Sequence, residues 1–181
     1  MRVNLLIISI AALFTCCINS NTDKQIDYSM NEYMNIDSIQ KKITEGQELN
    51  REIKAINSNN DTLLLGNIIS NDLLYIRYSN NACQECLDFI VNKMSDLIRT
   101  GQCVYLVSEM PQRDMHVYER TQEGTKLYLI DSLNIDFDYA LTPYIFCVQG
   151  NKVKDFIIPR KEQEMLFNEF IKKYKHPTDK P

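Results

Sequence analysis

Two cysteines separated by two residues, Cys83-Gln84-Glu85-Cys86, stand between a β-favouring run and an amphipathic run, and that junction restricts the fold more than any other feature of the chain. Upstream, Leu73 to Tyr78 is nearly continuous in apolar and β-favouring residues, the pattern of a strand buried on both faces of a sheet. Downstream, Leu87, Ile90, Val91, Met94, Leu97 and Ile98 mark one face of a helix starting about Cys86, and Gly101 stands where such a helix ends. A thiol at a helix N-terminus meets unpaired backbone N–H groups and the positive end of the helix dipole, both of which favour the reactive thiolate.

The remaining pattern gives the layers. Thr62 to Ile69, interrupted by Gly66, reads as a short strand and lead-in; Cys103 to Val107, Lys126 to Ile130 and Tyr144 to Val148 read as further strands. Gln149-Gly150-Asn151-Lys152 supplies a hairpin turn whose return strand is Val153 to Ile158, and Leu166, Phe167, Phe170, Ile171 and Tyr174 face one side of a closing helix. Strand, helix, strand, strand pair and helix in that order make an α/β layer fold. Ahead of it, Ile36, Ile39, Ile43, Leu49, Ile53 and Ile56, with Gly46 in step, predict a narrow-striped amphipathic helix over 36–57 that packs on its own domain or pairs two copies as a homodimer.

A CxxC is also half of a zinc site, but zinc wants a second CxxC or a spaced histidine pair. His116 and His176 are 60 residues apart, so no metal site is expected. The net charge of −4 is mild and lysines alternate with acids, which gives no electrostatic footprint for nucleic acid. Cys103 and Cys147 fall inside apolar strands and read as buried, inert thiols.

The first residues predict export. Met1-Arg2 is a short basic start, and Leu5 to Phe14 is an apolar run too short to span a bilayer, which needs roughly 20 residues. Leu13-Phe14-Thr15-Cys16-Cys17 resembles the bacterial lipobox, with Cys16 as the acylated residue and Cys17 as the alternative register; a plain cleaved signal peptide or a buried N-terminal helix are the other readings. The division expected is a signal peptide over 1–16, a polar tether over 17–35, the helix over 36–57, a globular domain over 58–176 and a disordered tail over 177–181. A lipid-anchored chain of this kind faces the periplasm or cell exterior, where disulfides persist.

Strand, CxxC, helix and strand, followed by Leu141-Thr142-Pro143-Tyr144, a hairpin and a final helix, together resemble the thioredoxin superfamily, closest to extracytoplasmic thiol–disulfide oxidoreductase lipoproteins of the TlpA type. The resemblance covers about residues 60 to 175. It implies a thioredoxin-like fold, a central mixed sheet flanked by helices. It implies further that Cys83 attacks, that Cys86 resolves, and that Pro143 is a cis-proline with Thr142 lining the substrate groove. No cofactor is implied beyond the Cys83–Cys86 disulfide itself. Clients would be extracytoplasmic thiol or disulfide proteins, with a membrane electron donor if the chain is a reductase.

The sequence also departs from that family. Asn81-Ala82 precedes Cys83 where a tryptophan is usual, and Glu85 puts a negative charge between the thiols, which disfavours a Cys83 thiolate. Arg77 stands where cytoplasmic thioredoxins carry a buried acid; it either points at the active site and offsets Glu85, or reaches the sheet edge or an acid. These departures keep open a redox-inactive binding or assembly lipoprotein whose CxxC is a structural disulfide. A peroxidase would want Pro and Thr ahead of Cys83, and copper delivery would want a suitably placed histidine; the chain has neither.

Overall fold

The computed structural model describes residues 35–121, 124–138 and 141–175. The signal run, Cys16, Cys17 and the tail over 177–181 lie outside the described residues. The chain divides into residues 1–38 and 39–181, and the sheet belongs to the second. Residues 35–44 are helical (α1). Then follow β1 (Lys54–Ile56), β2 (Thr62–Leu64), β3 (Leu74–Ser79), α2 (Gln84–Arg99), β4 (Cys103–Ser108), α3 (Gln112–Thr121), β5 (Lys126–Leu129), β6 (Tyr144–Gln149), β7 (Lys152–Ile157) and α4 (Glu164–Lys175).

One sheet runs in the order β2-β1-β5-β4-β3-β6-β7. β3, β4 and β5 are parallel neighbours, joined through α2 and α3, while β6 runs antiparallel beside β3 and β7 antiparallel beside β6. Every residue of β3 is buried, which is why its sequence runs without polar alternation. Alternation still decides which face each residue serves. Leu74, Ile76, Tyr78, Tyr105, Val107 and Ile145 point into the layer filled by Ile90, Met94 and Leu97 of α2, Met115 of α3 and Phe167 of α4. Tyr75, Val104, Leu106, Tyr144 and Phe146 point the other way, where Leu49, Leu65, Leu133, Ile135 and Phe156 cover them. The three long helices thus share one face, and irregular chain covers the opposite one. α2 stops where expected: Gly101, at φ +71, donates to the Ile98 carbonyl at 2.9 Å and Gln102 to Leu97 at 2.9 Å.

This is a thioredoxin-like arrangement, a mixed sheet with these helices on one face and the CxxC at the strand-to-helix junction of β3 and α2. Three expectations are corrected. The helix over 36–57 stops at residue 44, because Gly46 takes φ +89 and Leu49 and Ala55 are needed in the core. Ile39 and Ile43 of α1 remain about half exposed, so that stripe does not pack. The strand read over Thr62 to Ile69 is confined to β2 and gives way to a 3-10 turn at Leu65–Asn67 that sinks Leu65 into the core. The sheet also begins before residue 58. β1 is its second strand, and the segment over 46–49 lies along the outer edge of β7, with Gly46 N–H on Val153 O at 2.8 Å, Val153 N–H on Gln47 O at 2.9 Å and Leu49 N–H on Asn151 O at 2.8 Å. Among the described residues no helix is long and apolar enough to cross a membrane.

Candidate active site

Cys83 caps the N-terminus of α2. Its carbonyl accepts the N–H groups of Cys86 and Leu87, each at 3.1 Å, so the helix starts two residues earlier than the apolar pattern indicates, with Cys83 at its N-cap and Cys86 in its first turn. Both are free thiols, Cys83 exposed and Cys86 partly buried. Hydrogen bonding from the Cys86 thiol and then from the Cys86 backbone N–H holds the Cys83 thiol below its ordinary range; the Glu85 N–H helps, and the Glu85 carboxylate opposes as a smaller influence. Burial, followed by the same hydrogen bond to Cys83, pushes Cys86 up to about 11. One thiol is therefore poised to ionise at the surface and the other is kept protonated beneath it.

Glu85 has the sign expected of it, but it is exposed and faces Lys161, whose Nζ lies 3.3 Å from its Oε2. Lys161 also pulls the Cys86 thiol downward. It comes from the turn before α4 and was not visible as a site residue, since nothing in sequence links positions 85 and 161.

Arg77 does not reach the cysteines. Strand alternation places it on the face opposite α2, where its Nε bonds Asp138 Oδ1 at 2.7 Å and its Nη2 bonds Oδ2 at 3.2 Å. The remaining guanidinium protons go to the carbonyls of Leu106, Ile130 and Asp131. Asp138 also accepts from the Tyr144 hydroxyl at 2.9 Å and from the Leu133 N–H. Of the two placements open for Arg77, the structure shows the pairing with an acid, and Arg77 is absent from the groups acting on Cys83.

Thr142 and Pro143 lie just ahead of β6. β6 is antiparallel to β3 with Tyr144 opposite Arg77, so Pro143 sits one residue beyond the last paired position, at the end of β3 that leads to Cys83. No peptide bond among the described residues is cis; the Thr142–Pro143 bond is trans, against the expectation. A proline opening a strand needs only its fixed φ and its missing N–H, and the trans form is the commoner by far.

Glu109 is a further residue that sequence reasoning missed. At φ +61 beyond the end of β4, its Oε2 accepts from Ser79 Oγ at 2.6 Å and Asn81 Nδ2 at 2.9 Å, which ties β4 to the loop that delivers Cys83. These bonds hold its carboxyl below the usual range. A polar cleft of about 350 Å3 opens beside it, between Ser108, Asp131 and Leu141. Cys103 and Cys147 are buried in β4 and β6, and burial pushes Cys103 up to about 12. Among the described residues no cluster of three or more His, Cys, Asp or Glu could hold a metal ion.

No family model and no curated protein matches the chain. Solved structures do. It is similar to a thiol:disulfide interchange protein of the thioredoxin family from Chlorobium tepidum, at 14% identity over 74% of this chain and 97% of that one, with a TM-score of 0.45. A secreted disulfide oxidoreductase of Mycobacterium tuberculosis aligns at 7% identity over 67% of this chain and 95% of its own, TM-score 0.47. A thiol peroxidase from Chromobacterium violaceum aligns at 11% over 73% and 88%, TM-score 0.46.

Proposed function

We propose that the chain is an extracytoplasmic thiol–disulfide oxidoreductase, anchored to a bacterial membrane by a lipid on Cys16, or on Cys17 in the alternative register, and working through Cys83 and Cys86. One observation carries the redox reading: an exposed thiol at the N-cap of α2, with a partly buried partner thiol in the first turn behind it. The Cys83 thiolate attacks a client disulfide, forming a Cys83–client bond as the client's own S–S bond breaks and one client thiolate leaves. Cys86 then loses its proton and attacks Cys83 Sγ, closing the Cys83–Cys86 disulfide and releasing the second client thiolate. Two electrons pass to the client, and a membrane dithiol donor must return them. Run backwards from the disulfide, the same steps oxidise a client.

Cys86 carries the burial and Cys83 the exposure, so the two serine variants should differ. Cys86→Ser should accumulate mixed disulfides with envelope proteins, because attack proceeds and release does not; Cys83→Ser should trap almost none. Equal and negligible trapping by both, with a wild-type pair that resists strong thiol reductant, would leave a structural disulfide and a binding module. Fatty-acid labelling lost in Cys16→Ser supports the anchor; labelling lost only in Cys17→Ser moves it by one residue.

A further inference from the structure

We propose that the groove between α2 and α3 binds an extended client segment in which apolar residues alternate with lysine or arginine. This deepens the reading of Cys83 as the attacking thiol, because the groove opens beside Gln84, the residue that follows it. The groove is a cavity of about 390 Å3, within the range of roughly 300–1,000 Å3 common to ligand sites. Leu87 and Val91 of α2 form one wall, and Met110 and Val117 the other. Val117 is 61% exposed, an apolar side chain left largely in water.

The floor is rigid. Tyr78 and Tyr118 line it, and both rings pack edge-on against Tyr105, at 6.1 and 5.5 Å between centroids. Tyr105 is 1% exposed, so the platform is anchored in the core. Aromatic rings fixed from below give contact area that needs no ordering when a ligand arrives.

Charge selects the occupant. The rim carries the carboxylates of Asp88 and Asp114, and among the described residues no lysine or arginine lines the groove. Arg113 approaches Asp114 at 3.2 Å but is itself 86% exposed and stands outside. Asp88 accepts from Gln84 Nε2 at 2.9 Å, which couples the acidic rim to the dipeptide between the cysteines. An acidic or lipid-headgroup ligand would meet repulsion here, whereas a basic and apolar strand finds both its components matched and delivers a neighbouring cysteine to Cys83.

The test uses the full chain and two cysteine-free peptides, one alternating leucine with lysine and its twin with glutamate for lysine, measured by calorimetry. The lysine peptide should bind about tenfold tighter or more than the glutamate one, the difference shrinking as salt rises, since each exposed carboxylate contact turns from attraction to repulsion. Val117→Lys, at an exposed position and checked for folding by circular dichroism, should weaken the lysine peptide by a similar factor, and Asp114→Asn by less. Equal binding of the two peptides, no binding of either, or a Val117→Lys chain that binds as tightly as the wild type would overturn the proposal. Because the peptides lack cysteine, binding without any exchange on disulfide-containing versions would instead overturn the oxidoreductase reading and leave the groove standing.

Discussion

Replacing Asp138 by asparagine tests whether the Arg77 network is structural or catalytic. The two side chains are 4% and 2% exposed, and the carboxylate receives Arg77 Nε and Nη2, the Tyr144 hydroxyl and the Leu133 N–H. Asparagine keeps the shape and one acceptor oxygen but leaves a guanidinium buried without its counter-charge. Removing one partner of a buried pair costs about 3–5 kcal/mol, whereas replacing both by apolar residues is often neutral or better. At about 3 °C per kcal/mol for a domain of this size, the melting temperature should fall by roughly 10–15 °C. Arg77→Met should fall comparably, and the double variant Arg77→Met with Asp138→Leu should recover most of the loss. The assay is urea unfolding of the wild type and these three variants, read beside the pH dependence of iodoacetamide reaction at Cys83. A single variant within about 1 kcal/mol of wild type would refute the energetic argument. A shift of the Cys83 profile in Arg77→Met would refute the separation of Arg77 from the thiols.

Alkylation of the reduced protein between about pH 7 and 8 should modify Cys83 and spare Cys86, because ionisation is eased at the first and pushed up to about 11 at the second; equal rates by peptide mass spectrometry would contradict the assignment. Lys161→Ala should leave stability within about 0.5 kcal/mol, as its pair with Glu85 is exposed, yet lengthen the life of Cys83 mixed disulfides by removing the cation that favours a Cys86 thiolate; an unchanged release rate would remove Lys161 from the site. Cys86 and Cys103 have folded values raised to about 11 and about 12, so their neutral forms stabilise the fold below the unfolded thiol value of about 8.5 and lose that contribution as pH rises through the raised values. The reduced chain should therefore lose stability steeply above about pH 9, and Cys103→Ala should flatten that loss; a pH-independent urea midpoint from 8 to 12 would count against it.

The central strands were legible because burial on both faces leaves a run of apolar residues that no other element of that length explains, and α2 was legible because its apolar face repeats every three to four residues. The N-terminal region misled for a related reason. Ile36 to Ile43 and Leu49 to Ile56 fall on one continuous helical period, but Gly46 breaks the chain at φ +89, the first half stays about half exposed, and only the second half meets the core, by extended backbone. Spacing shows that apolar residues share a period, and it records neither whether one helix or two unlike elements carry them nor which of them the fold buries. At the site, the CxxC announced itself as a motif. Arg77 was found by its distance from Cys83 along the chain, yet its face is set by alternation with Tyr75, and only knowing which face α2 covers separates it from the thiols. Lys161, Glu109 and Asp138 act across long sequence separations, as ordinary surface-type residues that gain roles only when the sheet brings their partners to them.

The stretch over 46–49 along β7 has one more consequence. A sheet's outer strand offers a row of unsatisfied amides and carbonyls, a template on which foreign chains can polymerise. Here the template is already occupied: Val153 gives its N–H to Gln47 and takes the Gly46 N–H, while the Phe156 N–H is capped by the Glu45 carboxylate at 2.8 Å. The opposite margin, β2, is three residues long and gives little purchase. The segment leading in from the N-terminal side thus works as a built-in stopper. A chain begun at residue 50 would keep Cys83, Cys86 and most of its core, but it would present bare backbone along β7 and should form soluble oligomers and then fibrils where the intact chain does not.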